Sequence, residues 1–220
     1  MNVNEVIERL KQLSDPSHLE GMKRYGIDNS KALGVPMPKV CQLAKEIKKD
    51  QGLSLELWET GIHECRILAS MIGDPKLVTP QQMDKWVVGF QSWDVCDQVC
   101  GNLFDRTPYA IEKALDYSLS EKEYIKRAGF VLMAEFAVHD KKAGDDQFIP
   151  LFSIIEREAW DDRNFVKKAV NWALRQIGKR NKNLGQSAIE CAKRIAKQES
   201  KAAKWIAKDA LKELENRFKD

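Results

Sequence analysis

The chain has 220 residues, 43% hydrophobic and 31% charged. That balance excludes a disordered chain and is enough for one domain with a substantial core. No apolar run reaches the roughly 20 residues that span a bilayer, and the charged start "MNVNEVIERLKQLSDPSHLE" has no signal-peptide core; the expectation is a cytoplasmic protein with no membrane partner.

Charge is unevenly spread. Residues 163–220 hold 16 Lys and Arg against 6 Asp and Glu, a net of +10, which leaves −7 for residues 1–162. A basic C-terminal quarter points to a polyanion, nucleic acid first. The five cysteines, Cys41, Cys65, Cys96, Cys100 and Cys191, are odd in number and dispersed, so they read as small apolar core residues rather than a disulfide framework. His18, His63 and His139 stand alone, and no Cys or His set completes a metal site, so no metal is expected.

Along the chain every segment has helical periodicity and none alternates like a strand. Short breaks at 14–17, 34–38, 73–80, 105–108, 118–121 and 179–185 separate about a dozen helices. Ser14, Asp15, Ser92, Ser120 and Asp162 are the expected N-caps. Four segments align on one another: "HECRILASMI" from His63, "WDVCDQVCGNLF" from Trp93, "EYIKRAGFVLMAEF" from Glu123 and "NFVKKAVNWALRQIG" from Asn164. "KAAKWIAKDALKEL" from Lys201 fits more loosely. The alignment makes Arg66, Asp97, Arg127, Lys168 and Lys204 equivalent at intervals of roughly 30 to 40 residues, the period of two-helix solenoid units. The expected fold is therefore all-α, a right-handed superhelix of HEAT-like repeats in a single domain, 1–220, with a concave basic face. The last helix reads as a solenoid cap, which favours a monomer.

On such a face the one acidic position, Asp97, opposes phosphate and calls for another role. Trp93 lies four residues before it, on the same side of the helix. Asp94 needs no such role, since a carboxylate in the first turn favours the helix dipole. Trp172 lies one turn after Lys168, and Arg175 and Lys179 continue that face as a ridge suited to nucleic acid. Trp58 and Trp86 fit apolar stripes and read as core. No phosphate loop, dinucleotide fingerprint or Ser/His/Asp arrangement occurs, so no nucleotide cofactor is expected.

The elements "MKRYGIDNSKALGVPMPKV" (22–40), "HECRILA" (63–69), "SWDVCDQV" (92–99), "YIKRAGFVLMAE" (124–135) and "FVKKAVNWALRQIGKR" (165–180) give the chain its likeness. In this order it resembles the AlkD family of DNA alkylation repair enzymes, DNA glycosylases built from HEAT-like repeats. The resemblance implies Asp97 as catalytic aspartate, Trp93 and Trp172 as active-site tryptophans, Arg127 as a contact to the DNA backbone and Tyr25 as an N-terminal tyrosine near the site. Arg66, Lys168, Arg175 and Lys179 join Arg127 and Tyr25 as expected DNA contacts. The chain departs from the family where Ser92-Trp93 replaces an aromatic pair and where "GIDNSKAL" lacks aromatic residues. The implied activity is base excision: hydrolysis of the N-glycosidic bond of cationic N3- or N7-alkylpurines in double-stranded DNA, without cofactor. A lysine placed for Schiff-base chemistry is missing, which implies a glycosylase without lyase activity. The alternative is a non-catalytic HEAT-like module that binds structured DNA or a protein partner.

Overall fold

A computed structural model describes residues 1–219. Among these residues there are thirteen α-helices, two short 3-10 turns and no strand. The first helices are α1 (Val3–Gln12), α2 (Pro16–Arg24), α3 (Met37–Ile47), α4 (Gln51–Glu59), α5 (His63–Ile72), α6 (Pro80–Val88) and α7 (Trp93–Asn102). They form one compact unit, Met1–Thr107. A second unit begins at Pro108. It holds α8 (Ala110–Ser118), α9 (Glu123–His139), α10 (Leu151–Glu158), α11 (Asn164–Gly178), α12 (Lys182–Ile195) and α13 (Lys201–Arg217). None of the described helices is long and apolar enough to cross a membrane.

The five aligned segments begin at the first residues of α5, α7, α9, α11 and α13. In the first unit α5 packs on α3, α4 and α7. Trp58 and Trp86 are buried there and stack at 4.2 Å with planes 6° apart, which adds quadrupole-matched contact to the area they bury. In the second unit α9 packs on α8 and α11, and α11 on α12 and α13. The α8–α9 approach depends on Gly129: a Cβ there would lie 2.6 Å from the Ser118 amide nitrogen and 2.8 Å from the Ala114 carbonyl. Cys65, Cys96, Cys100 and Cys191 are buried, and burial pushes the Cys65 and Cys191 thiols up to about 11 and about 12. Cys65 and Cys191 remain protonated, and all four pack as apolar groups.

The helix starts correct part of the sequence reading. Asp15 does cap α2, accepting from the Ser17 amide at 2.8 Å. Ser14 instead bonds through its hydroxyl to the Leu33 carbonyl. α9 and α11 start after Lys122 and Arg163, two residues beyond Ser120 and one beyond Asp162. Ser92 occupies the N-cap position of α7, yet its hydroxyl makes no capping bond. The 3.6-residue pattern locates a helix body but does not separate neighbouring polar residues as caps.

Candidate active site

The start of α7 presents Trp93 and Asp97. Val95, Cys96, Val99 and Cys100 turn into the core of the first unit and leave these two half-buried along one edge of the helix. The indole Nε1 of Trp93 donates to the backbone carbonyl of Tyr25 at 2.9 Å. Tyr25 closes α2 just before Gly26, which has φ +72°, and its side chain is 69% exposed. Of the three residues that the resemblance associates, Tyr25 and Trp93 are thus in contact, and Asp97 lies one turn after Trp93 on α7.

The loop after Tyr25 is held to the start of α5. Glu64, in the first turn of α5, is 2% exposed and accepts from three successive amides: Leu33 at 2.8 Å, Gly34 at 2.7 Å and Val35 at 3.1 Å. Bonds from N–H to a buried carboxylate are strong because the low dielectric strengthens each of them. Gly34 is required there: it has φ +76°, and a Cβ would lie 2.8 Å from the Asp15 carbonyl. The His63 amide donates to the Lys31 carbonyl at 2.9 Å, and Asn29 Nδ2 to the Leu19 carbonyl at 2.7 Å. Sequence reasoning missed Glu64; its one available signal was a carboxylate heading an otherwise apolar helix.

Asp94 has a partner of its own. His63 Nε2 lies 2.9 Å from its Oδ2. Burial works against the Asp94 charge, but the His63 hydrogen bond and charge outweigh it and hold the carboxyl below the usual carboxylate range. Arg66, expected on the DNA surface, directs its guanidinium inward. Nη1 donates to the Gly89 carbonyl at 2.7 Å, and the group stacks 4.8 Å above Trp58. Burial lowers its pKa. Its geometry ties α5 to the end of α6.

The remaining candidates belong to the second unit. Arg127 on α9 is 6% exposed and donates from Nη1 to the Phe165 carbonyl at 2.6 Å, in the first turn of α11. On α11, Lys168 is exposed and Trp172, one turn later, is half-buried. Arg175 and Lys179 share one carboxylate of α13: Glu213 lies 2.6 Å from Arg175 Nη1 and 3.0 Å from Lys179 Nζ. Asp209 lies 3.6 Å from Arg175. Burial works against the Glu213 charge, but the hydrogen bonds and charges of Lys179 and Arg175 outweigh it and hold the carboxyl below the usual carboxylate range. The ridge expected from spacing is therefore half neutralised by acids 30 to 40 residues on, which a single-helix reading cannot place.

The backbone adds donors. α7, α9 and α11 begin without a side-chain cap, as do α3, α5, α8 and α10, whereas α1, α2, α4, α6, α12 and α13 are capped by Asn2, Asp15, Asp50, Thr79, Asn181 and Ser200. Uncapped first-turn amides carry the positive end of the helix dipole and suit phosphate oxygens.

A family model described as DNA alkylation repair enzyme matches residues 6–214. Among solved structures the chain is similar to a protein reported as one of "a new family of proteins related to the HEAT-like repeat DNA glycosylases with affinity for branched DNA structures". The TM-score is 0.80 at 21% identity, over 95% of this chain and 94% of that one. A designed armadillo repeat protein aligns with a TM-score of only 0.35 at 14% identity, over 94% of this chain and 98% of that one. No curated protein sequence matches.

Proposed function

The chain belongs to the DNA alkylation repair enzyme family, and we propose that it is a monofunctional DNA glycosylase that releases cationic N3- or N7-alkylpurines from duplex DNA. The observation that carries this reading is the edge formed by Tyr25, Trp93 and Asp97. It sets a carboxylate one helical turn from an indole that a hydrogen bond holds in place.

The chemistry suits these residue types. An alkylated purine already carries positive charge, so it departs without a general acid. The deoxyribose left behind develops oxocarbenium character, as in glycoside hydrolysis generally. A fixed carboxylate beside C1′ stabilises that charge and orients the attacking water. In this reading Asp97 takes both tasks. Trp93 offers its electron-rich ring to the cationic nucleotide, an attraction worth roughly 0.5–2 kcal/mol. In the second unit Lys168 and Trp172 contribute cationic and aromatic contacts to the DNA, while Arg127, 6% exposed and bonded to the Phe165 carbonyl, positions the start of α11. Arg175 and Lys179 join them to the extent that Glu213 releases them, and Arg66 supports the fold of the first unit.

A second reading has its own support. The similar structure comes from a family with affinity for branched DNA, and shared fold does not carry shared chemistry. The test is to incubate the protein with a duplex holding one 7-methylguanine, and separately to measure its affinity for intact duplex and for a four-way junction. Base release from the duplex supports the glycosylase. No release, with tight junction binding, gives the protein the binding role.

A further inference from the structure

Two tryptophans outside the site are exposed where burial would be expected. Trp160 follows the end of α10 and is 58% exposed; Trp205 lies on α13 and is 40% exposed. α13 buries Ala202, Ala203, Ile206, Ala207, Ala210 and Leu214, and Trp205 stands off that face. Its surface neighbours are instead Lys201, one turn before, and Lys208, one turn after, both exposed. Lys167 of α11 holds its ammonium 5.1 Å from the Trp205 ring. The two tryptophans flank the start of α13: the Trp160 carbonyl accepts from the hydroxyl of Ser200, the N-cap of that helix, at 3.0 Å, and Trp205 is five residues further on.

The structural roles of the two rings differ. Trp160 lies over Lys126, whose Nζ is 5.5 Å from the ring, 2.7 Å from Glu158 and 3.3 Å from Asp161. Part of its contact area thus covers a buried ion network. Trp205 covers no such network. More than half of the Trp205 surface is buried, and the 40% left exposed is apolar area on a lysine-lined face, open to a ligand. Its exposed ring, with the Lys167 ammonium against it and Lys201 and Lys208 one turn to either side, lies in a segment of net charge +10 and matches one chemistry closely: a nucleobase for the ring and its phosphates for the lysines.

We propose that Trp205, on the helix whose start Trp160 adjoins, forms a stacking platform for unpaired bases, so that the second unit holds a single strand next to duplex DNA. Paired bases keep their faces inside the stack and cannot use such a platform, whereas every unpaired base can. The proposal rests on the reading of the chain as a DNA-acting protein, and it is independent of the chemistry assigned to Asp97.

The test measures fluorescence anisotropy of labelled DNA with the full chain, comparing a blunt duplex with the same duplex carrying a short single-stranded overhang. Wild type should bind the overhang form at least about tenfold more tightly, since stacking is worth about 1–3 kcal/mol per base. Trp205→Ala should abolish most of that preference while blunt-duplex affinity stays within about twofold. Trp205→Phe should restore part of it, as a smaller ring still stacks. Trp160→Ala should add a smaller loss, read beside its melting midpoint because of the ion network beneath it. A Trp205→Ala protein that melts like wild type and keeps the overhang preference overturns the proposal, as does a wild type that binds both DNAs equally. Failure of wild type to bind either DNA would instead overturn the DNA reading as a whole.

Discussion

The indole nitrogen of Trp93 and the backbone carbonyl of Tyr25, 68 residues earlier, are joined by a 2.9 Å hydrogen bond. The bond fastens the end of α2 to the start of α7 and fixes the ring that precedes Asp97 by one turn. Trp93→Phe keeps an aromatic face and removes the donor. Excision should fall by roughly tenfold, in line with about 1 kcal/mol for a neutral hydrogen bond plus the weaker ring. The melting midpoint should move little, because the Tyr25 carbonyl can turn to water. Single-turnover rates beside a thermal melt check both statements.

Glu64 is expected to matter more for stability than any residue of the site. Its carboxylate satisfies three buried amides, and Glu64→Ala leaves all three without an acceptor. The cost should be about 3 kcal/mol or more, which lowers the melting midpoint of a chain of 220 residues by roughly 6–12 °C. Glu64→Gln should recover part of this, since an amide oxygen accepts from fewer donors and more weakly. Differential scanning calorimetry of both variants tests the order.

These two cases show which parts of the structure the sequence made legible. The five repeat helices began where alignment of small apolar segments put them, because a packed helix face has a period that is visible locally. Trp58 and Trp86 were legible as core for the same reason. The partners of Arg66, Arg175 and Lys179 were not. A guanidinium reads as a phosphate contact until tertiary structure brings it to Gly89 or Glu213, and both lie more than 20 residues away. Glu64 was hidden in the same way, as an anchor for a loop about 30 residues before it.

Glu213 gives a prediction of opposite sign to the usual loss of function. It holds Arg175 and Lys179 at 2.6 and 3.0 Å. Glu213→Gln should free both cations, tighten duplex binding severalfold and steepen the dependence of log affinity on log salt by about 1–2. Lys168→Ala should reduce the same slope by about 1. Titrations at several salt concentrations separate the two effects.

The network of Lys126 with Glu158 and Asp161 sets a pH dependence. Burial opposes the charge of both carboxylates, but the Lys126 hydrogen bond and further partners, Arg157 at Glu158 and Arg163 at Asp161, outweigh it and hold both below the ordinary values of 4.5 and 3.8. A carboxylate depressed in the folded state stabilises above its unfolded pKa and loses that contribution as pH falls through its folded pKa. The melting midpoint should therefore be flat above about pH 5 and fall steadily from about 4.5 downward. Lys126→Met leaves Glu158 with Arg157 and Asp161 with Arg163 alone, and should lower the neutral midpoint by the equivalent of about 1–3 kcal/mol. Melts of both proteins between pH 3 and 7 check the sign.

The central claim is that Asp97 serves chemistry and not binding. Its most direct test is single-turnover release of 7-methylguanine from a duplex by wild type and Asp97→Asn, with duplex affinity measured on the same preparations. The account predicts base release by wild type, a loss of at least about a hundredfold in the variant, and duplex binding unchanged or tighter once the negative charge is gone. Equal release rates for the two proteins, or no release by either with duplex binding intact, would contradict it.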